Sequence, residues 1–265
     1  MTQQALLSVE GLAVRYERAA VVEDVSLSAE GGQLLGICGP NGSGKSTLLR
    51  AIVGLTPAFA GTVRVTGQPL ARVHEELSYV PQQAAVDPEF PITVRELVAT
   101  GRLPRRRGLR WLRREDRDAV EEALGELDHT ALAERGLGEL SGGQRQRAFL
   151  ARALAQRARV LLLDEPFAAV DARAEDDLWG RLGQLASSGA LVVVVHHDLG
   201  ALAERADRLV LLSRRVVADG SPSEVLTPAN LEAAYELPIA LRGSDRAVRP
   251  GPAGQQAALR WAVSS

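Results

Sequence analysis

The sequence of 265 residues contains little of several residue types, and each scarcity excludes a class of protein. Cys38 is the only cysteine, which excludes a disulfide within the chain and a cluster of cysteine metal ligands, and is typical of a reducing compartment. The formal net charge of −2 excludes a generally basic nucleic-acid-binding protein. The longest apolar runs, such as ALVVVV, are far shorter than the roughly 20 residues of a membrane span. No charged-then-apolar leader opens the sequence, so no export signal is expected.

The order of the patterns that are present predicts an α/β fold. Hydrophobic residues make up 46% of the chain, enough for the core of one large domain, with or without a subdomain. Near the start, ALLSVEGLAVRY and VVEDVSLSAEGG predict an antiparallel sheet with one wet face. Further on, VLLLDEP and ALVVVVHHD are apolar runs separated by a helical pattern, which predicts parallel strands covered by helices on both faces.

The same patterns predict how the chain is divided. Helical patterns between Pro91 and Leu140 predict a helical subdomain over about residues 83–155, inserted into a domain that spans residues 1–242. Residues 243–265 lack a sustained pattern, so a loosely held C-terminal tail is expected there.

A glycine-rich loop follows the apolar run QLLGICG and opens a helical pattern. The segment from Gly39 to Ser46 reads GPNGSGKS and matches the phosphate-binding pattern G-x-x-x-x-G-K-[ST]. Its glycines allow backbone N–H groups to surround phosphate oxygens, and the next helix directs its positive end at them. The expected nucleotide ligands are Gly39, Pro40, Asn41, Gly42, Ser43, Gly44, Lys45, Ser46 and Thr47.

Lys45 is the only lysine in a chain with 31 lysines and arginines. Chance in an arginine-biased sequence is one explanation. The other is that a narrow ring of phosphate ligands needs a compact ammonium, because a planar guanidinium is too wide. The strand before the loop and the helix after it favour the second explanation, with Lys45 reaching the β- and γ-phosphates and the Ser46 hydroxyl binding Mg²⁺.

Two acids follow the apolar run VLLL, at the end of a predicted parallel strand. Because ligands of parallel sheets bind beyond the carboxyl ends of the strands, Asp164 and Glu165 are expected to face the phosphate loop. Asp164 is then a candidate Mg²⁺ ligand, and Glu165 a candidate general base for an attacking water. A strand that merely ends in polar residues is the weaker explanation here.

The segment LSGGQRQR supplies a second candidate phosphate contact. Ser141 precedes a helical pattern and Gln144 follows three residues later, the spacing of a capping box. Gly142 and Gly143 leave the backbone N–H groups of the helix end exposed to an anion. With the phosphate loop before it and LLLDEP after it, this segment resembles the signature of ATP-binding subunits of ABC transporters, and the resemblance runs from about Leu6 to about Leu241.

The resemblance implies roles for further residues. Tyr16 resembles the aromatic residue that stacks on adenine, and Gln82 the glutamine that senses Mg²⁺ and the γ-phosphate. Asp171 resembles the acid that bridges two subunits, and His197 the histidine at the γ-phosphate. Strand neighbours point to opposite faces, so we expect His196 to be structural and a metal site shared by both histidines to be absent.

The resemblance also implies partners. Each ATP would lie between the phosphate loop of one copy and Ser141, Gly142, Gly143 and Gln144 of a second copy. We expect a peripheral protein at the cytoplasmic face of the membrane, bound to permease subunits and dependent on a substrate-binding protein. VPQQAAVDPEFPITVRELVATGR, FAAVDARAE and HHDL resemble the manganese and zinc importer branch, and importers of iron chelates or vitamins stay open.

Alternatives outside transport are a soluble ABC ATPase of DNA repair or translation, and a regulatory module that does not hydrolyse ATP. A single cassette without heptads over residues 83–140 disfavours the first, and Glu165 disfavours the second. The arginine-rich stretch 102–117 is best explained as a solvated face, since charge runs are usually exposed. Anionic lipid or nucleic acid is the alternative ligand, although no nucleic-acid partner is expected.

Overall fold

The computed structural model describes residues 5–17, 19–82, 90–103, 112–167 and 172–235, which form two β-sheets surrounded by helices. The strands are β1 (Leu7–Tyr16), β2 (Ala19–Ala29), β3 (Gln33–Cys38), β4 (Ala60–Val65), β5 (Gln68–Pro69), β6 (Leu77–Val80), β7 (Val160–Asp164), β8 (Leu191–Val195), β9 (Arg208–Ser213) and β10 (Arg215–Gly220). The helices are α1 (Lys45–Ile52), α2 (Val94–Thr100), α3 (Arg114–Glu126), α4 (Gly142–Gln156), α5 (Ala172–Ser187), α6 (Leu199–Arg205), α7 (Pro222–Val225) and α8 (Pro228–Tyr235).

The first sheet is antiparallel, in the order β2-β1-β4-β5. Along β1 the residues alternate between buried and less buried positions for several residues, and Val9 pairs with Leu27 of β2 and Val63 of β4. This alternation confirms the predicted sheet with one face packed on the core.

The second sheet has the order β10-β9-β3-β8-β7-β6, and β3, β6, β7, β8 and β9 run parallel to one another. Successive residues of β8 enter opposite cores: Val192 and Val194 pack on the side of α4 and α5, while Val193 and Val195 pack on the side of α1 and the first sheet. The prediction of parallel strands covered on both faces is therefore confirmed.

The strand order decides where the site lies. β8 pairs with β3 on one side and β7 on the other, so the carboxyl ends of these three strands meet at one edge of the sheet. They end at Cys38, Asp164 and Val195. The loops that follow, which begin at Gly39, Glu165 and His196, consequently lie side by side.

Helices α2, α3 and α4 pack on one another. Just after α2, the guanidinium of Arg102 donates to the Asp116 carboxylate of α3 at 3.1 Å and to the carbonyl oxygen of Ala155 in α4 at 2.9 Å, and both charged side chains are buried. A buried ion pair with further hydrogen bonds fixes how its helices pack, because removing one partner would leave an uncompensated charge.

The predicted boundaries of the helical subdomain, 83–155, and of the ATPase domain, 1–242, stay predictions. Residues 243–265 and half of the arginine-rich stretch, residues 104–111, lie outside the described residues. Among the helices that the structure describes, none has the length and apolarity to cross a membrane.

Candidate nucleotide site

The loop between β3 and α1 requires glycine at two of its positions. Gly39 and Gly44 have φ angles of 145° and 97°, in the region that favours glycine. A Cβ on Gly39 would lie 2.0 Å from the carbonyl oxygen of Leu212, and one on Gly44 would lie 2.5 Å from that of Val21. Side chains are excluded at both positions, so only glycine lets the loop pack this closely on β9 and β2.

The Lys45 ammonium is enclosed by oxygens of this loop. Nζ donates to the carbonyl oxygens of Gly39 and Pro40 at 2.9 Å each, and lies 3.5 Å from Ser43 Oγ. Burial lowers the pKa of Lys45, while the nearby Glu165 and Asp164 carboxylates act in the opposite direction. A compact cation held by three loop oxygens supports the second explanation of the single lysine.

Asp164 and Ser46 meet across the sheet edge. Ser46 Oγ donates to Asp164 Oδ1 at 2.9 Å, and the Tyr79 hydroxyl lies 3.5 Å from Oδ2. The Asp164 side chain is fully buried, and burial raises its pKa, although the Ser46 hydrogen bond opposes the shift. A hydroxyl and a carboxylate side by side are the hard oxygen ligands that Mg²⁺ prefers, so these two residues fit that ion.

Glu165 occupies a strained backbone position next to the loop. Its φ is 50°, which is uncommon for a residue with a side chain, and its N–H donates to the carbonyl oxygen of Val195 at 3.0 Å. Burial would raise the pKa of Glu165, but the adjacent His196 and His197 lower it more, so the pKa lies below its usual value. Glu165 is therefore an anion at neutral pH.

The expectation that His196 and His197 point apart is wrong. Nδ1 of His197 lies 2.9 Å from Glu165 Oε2, and Nδ1 of His196 lies 3.4 Å from the same oxygen. The rule of alternating faces fails because β8 ends at Val195, and the chain turns within two residues to Asp198, which caps α6. The two histidines therefore belong to a turn and not to a strand.

A cavity of about 390 Å³ opens between the phosphate loop, Gln82 and Glu165. Eight of the predicted site residues line this one space: Asn41, Gly42, Gly44, Lys45, Ser46, Thr47, Gln82 and Glu165. Tyr16, at the end of β1, is 47% exposed and is not among the described residues that line this cavity. Asp171 lies outside the described residues.

The start of α4 has the predicted capping box. Gln144 N–H donates to Ser141 Oγ at 3.3 Å, and Ser141 N–H donates to Gln144 Oε1 at 3.0 Å. Ser141 and Gly142 are exposed, and a Cβ on Gly142 would meet no atom within 4 Å. Its φ is not positive either, so neither conformation nor packing inside this chain requires a glycine there.

Two residues that position the start of α4 are missed by sequence reasoning. His129 is buried, and its ring nitrogens lie 2.8 Å from the carbonyl oxygens of Leu127 and Gln144. Gln146 Nε2 donates to the carbonyl oxygen of Pro81 at 3.3 Å, which links α4 to the residue before Gln82. The second glutamine of LSGGQRQR was a visible signal, whereas nothing in the sequence distinguishes His129.

Comparisons with known proteins agree with this geometry. The ABC transporter family matches residues 22–168. The manganese transport system ATP-binding protein MntB of Listeria innocua is 39% identical over 235 residues, covering 88% of this chain and 98% of the relative. The zinc transport system ATP-binding protein TroB of Treponema pallidum is 41% identical over 232 residues, covering 86% of each protein.

A solved structure of a metal-chelate type ABC transporter in an inward-facing conformation superimposes with a TM-score of 0.75 at 31% identity, covering 88% of this chain and 90% of the solved chain. The chain thus shares its fold with this solved structure and matches the relatives over most of their length. The chain belongs to the ABC transporter family, as an ATP-binding subunit that hydrolyses ATP.

Proposed function

We propose that this protein powers the import of a transition-metal ion, manganese or zinc, from the cytoplasmic face of the membrane. The observation that carries the proposal is the identity of about two residues in five to the manganese and zinc transport proteins over nearly their full length. Partner proteins would select the transported ion. The residues of this chain therefore explain how ATP hydrolysis supplies energy, and not which ion is imported.

The site residues suggest a division of work in ATP hydrolysis. The backbone of the phosphate loop and Lys45 bind the β- and γ-phosphates. Ser46, Asp164 and Gln82 would hold Mg²⁺, which supplies charge neutralisation at the phosphates. Glu165, an anion 2.9 Å from His197, orients and deprotonates the attacking water. His197, whose side chain is 64% exposed, would contact the γ-phosphate.

We place the second half of the site in another copy of the chain. Ser141 and Gly142 are exposed and do not line the cavity of their own chain among the described residues. A glycine that nothing in its own chain requires is explained if a second molecule approaches it closely. The positive end of α4, with Gly143 and Gln144, would then contact the γ-phosphate bound by the partner copy.

The further partners follow from the same family. A permease in the membrane would dock on the helical part of the chain near Gln82, and a substrate-binding protein would deliver the ion. An importer of metal chelates is the second candidate, because the solved metal-chelate type transporter is 31% identical to this chain.

The test is ion uptake in reconstituted vesicles. The protein is co-expressed with candidate permeases, the complex that co-purifies is reconstituted, and ATP-dependent uptake of Mn²⁺, Zn²⁺ and a ferric chelate is measured. We expect uptake of Mn²⁺ or Zn²⁺ that disappears with Glu165→Gln. ATP-dependent uptake of the chelate alone, or co-purification with ribosomes or DNA instead of a permease, would contradict the proposal.

A further inference from the structure

The turn after β8 brings three metal-binding side chains together. One ligand atom each from Glu165, His196 and His197 lies within 4.8 Å of the other two. Two imidazoles and one carboxylate are the ligand set of many zinc and iron sites in proteins. In the proposed hydrolysis, by contrast, His196 has no role.

The distances are close to those of a tetrahedral ion. Bonds of about 2.0–2.2 Å place the ligand atoms of a tetrahedral zinc roughly 3.3–3.6 Å apart. Glu165 Oε2 is already 3.4 Å from His196 Nδ1 and 2.9 Å from His197 Nδ1. The three ligand atoms lie within 4.8 Å of one another, so the two imidazole nitrogens must approach each other, and the exposed side chain of His197 can make this movement.

His196 is held in the orientation of a ligand. Its ring is 4% exposed and makes edge contacts with Phe167 and Trp179, at centroid distances of 5.0 and 6.0 Å. Its buried Nδ1 faces Glu165 without the alignment of a hydrogen bond, and has no other hydrogen-bond partner among the described residues. A buried polar atom without a hydrogen bond requires an explanation, and a bound ion supplies one.

The other ring nitrogen of His196 faces a second carboxylate. Nε2 lies 3.7 Å from Oε1 of Glu175, which in turn accepts from Trp179 Nε1 at 3.4 Å. Metal-binding histidines commonly place their second nitrogen towards a carboxylate, which fixes the ring and raises its basicity. The surroundings of His196 follow this arrangement.

We infer that Glu165, His196 and His197 bind a divalent transition-metal ion of the zinc type, and that the bound ion stops ATP hydrolysis. The ion would bind the carboxylate oxygen of Glu165 and the imidazole nitrogen of His197. Both atoms would then be unavailable for the attack of water. Mg²⁺ would not compete at this position, because it prefers six oxygen ligands and binds imidazole poorly. If the protein imports such an ion, which rests on the proposed function, the imported ion would inhibit its own uptake.

Binding can be measured without ATP hydrolysis. Co²⁺ is titrated into the full chain in the absence of nucleotide and Mg²⁺, and its visible absorption is followed; Zn²⁺ and Mn²⁺ are then used to displace it. We expect one Co²⁺ per chain, displaced readily by Zn²⁺ and poorly by Mn²⁺, as the general order of affinities requires. The inference would be overturned if Co²⁺ did not bind, or if Zn²⁺ did not displace the bound Co²⁺.

Matched variants locate the ion. His196→Phe keeps an aromatic ring between Phe167 and Trp179, and Glu165→Gln keeps the shape of the carboxylate; each should weaken Co²⁺ binding about 10- to 100-fold or more. His74→Gln changes an exposed histidine elsewhere and should leave binding unchanged. Wild-type affinity in Glu165→Gln would refute the site even if His196→Phe failed to fold.

Inhibition is measured separately in the same preparations. Zn²⁺ should inhibit phosphate release at saturating Mg²⁺ and ATP, and His196→Phe should need about tenfold more Zn²⁺ for half-inhibition, whatever its own basal rate. Equal sensitivity of the two proteins would overturn the link to hydrolysis. Because neither readout involves transport, failure of this inference and failure of the proposed function remain distinguishable.

Discussion

Lys45→Arg preserves the charge of the phosphate loop and changes only its shape. Nζ of Lys45 makes two hydrogen bonds of 2.9 Å and a longer contact of 3.5 Å, all to oxygens of residues 39–43. An arginine is longer and presents a flat fork, so it cannot make this set of contacts within the same ring. In the Lys45→Arg variant with a phosphate bound, the charged side chain at position 45 should make at least one hydrogen bond fewer than the lysine does.

The size of the effect follows from the hydrogen bonds. A hydrogen bond to a charged group contributes about 1.5–3 kcal/mol, so the loss of one should lower ATP affinity roughly 10- to 150-fold, at about 1.4 kcal/mol per tenfold change.

Equilibrium binding of a fluorescent ATP analogue, with Mg²⁺ present, measures this loss. Arg64→Lys, the reverse exchange at an exposed position of β4, serves as the matched control and should bind like the wild type. If Lys45→Arg also binds ATP like the wild type, a compact ammonium is not required and the single lysine is an accident of composition.

Three further outcomes are expected from changes around the same site. Glu165→Gln should lower the rate of phosphate release by about 10²–10⁴, the usual contribution of a general base, and a wild-type rate would remove Glu165 from the mechanism. Asp164→Asn should raise the melting temperature without nucleotide at pH 7, because burial raises the pKa of Asp164 and penalises its charge in the folded state. This gain should shrink as the pH falls through the raised pKa, since the wild-type carboxyl then takes up a proton; a gain independent of pH would exclude that cause. Ser141→Ala should lower the unfolding free energy by about 1 kcal/mol through loss of the cap and should abolish most turnover, while ATP binding to a single copy stays unchanged in a titration at low protein concentration.

Much of the site could be predicted because its signals are short-range. The spacing from Gly39 to Ser46 fixes a loop that only glycines permit, and the spacing from Ser141 to Gln144 fixes a capping box; the structure has both. The meeting of Ser46 with Asp164 crosses 118 positions of sequence but follows from one rule, that parallel strands present their carboxyl ends together.

The remaining features of the site depend on where strands and helices end, and on tertiary contacts that leave no pattern in the sequence. The rule of alternating strand faces was extended to His196 and His197, although the strand stops one residue earlier and Asp198 starts the next helix. His129 binds the carbonyl oxygen of Gln144 across 15 positions, and no periodicity foretells such a contact. A local helix cap decided the first, and tertiary packing decided the second.

The central claim is that ATP is bound between two copies of the chain, and the mass of the Glu165→Gln variant in solution tests it most directly. This variant should bind ATP without turning it over, so the closed state should accumulate. Light scattering after size exclusion, in saturating ATP and Mg²⁺, should give the mass of a dimer, and the same variant carrying Ser141→Arg should give that of a single chain. If Glu165→Gln saturated with ATP and Mg²⁺ stays a single chain, the site is complete within one copy and the proposed role of Ser141 and Gly142 is wrong.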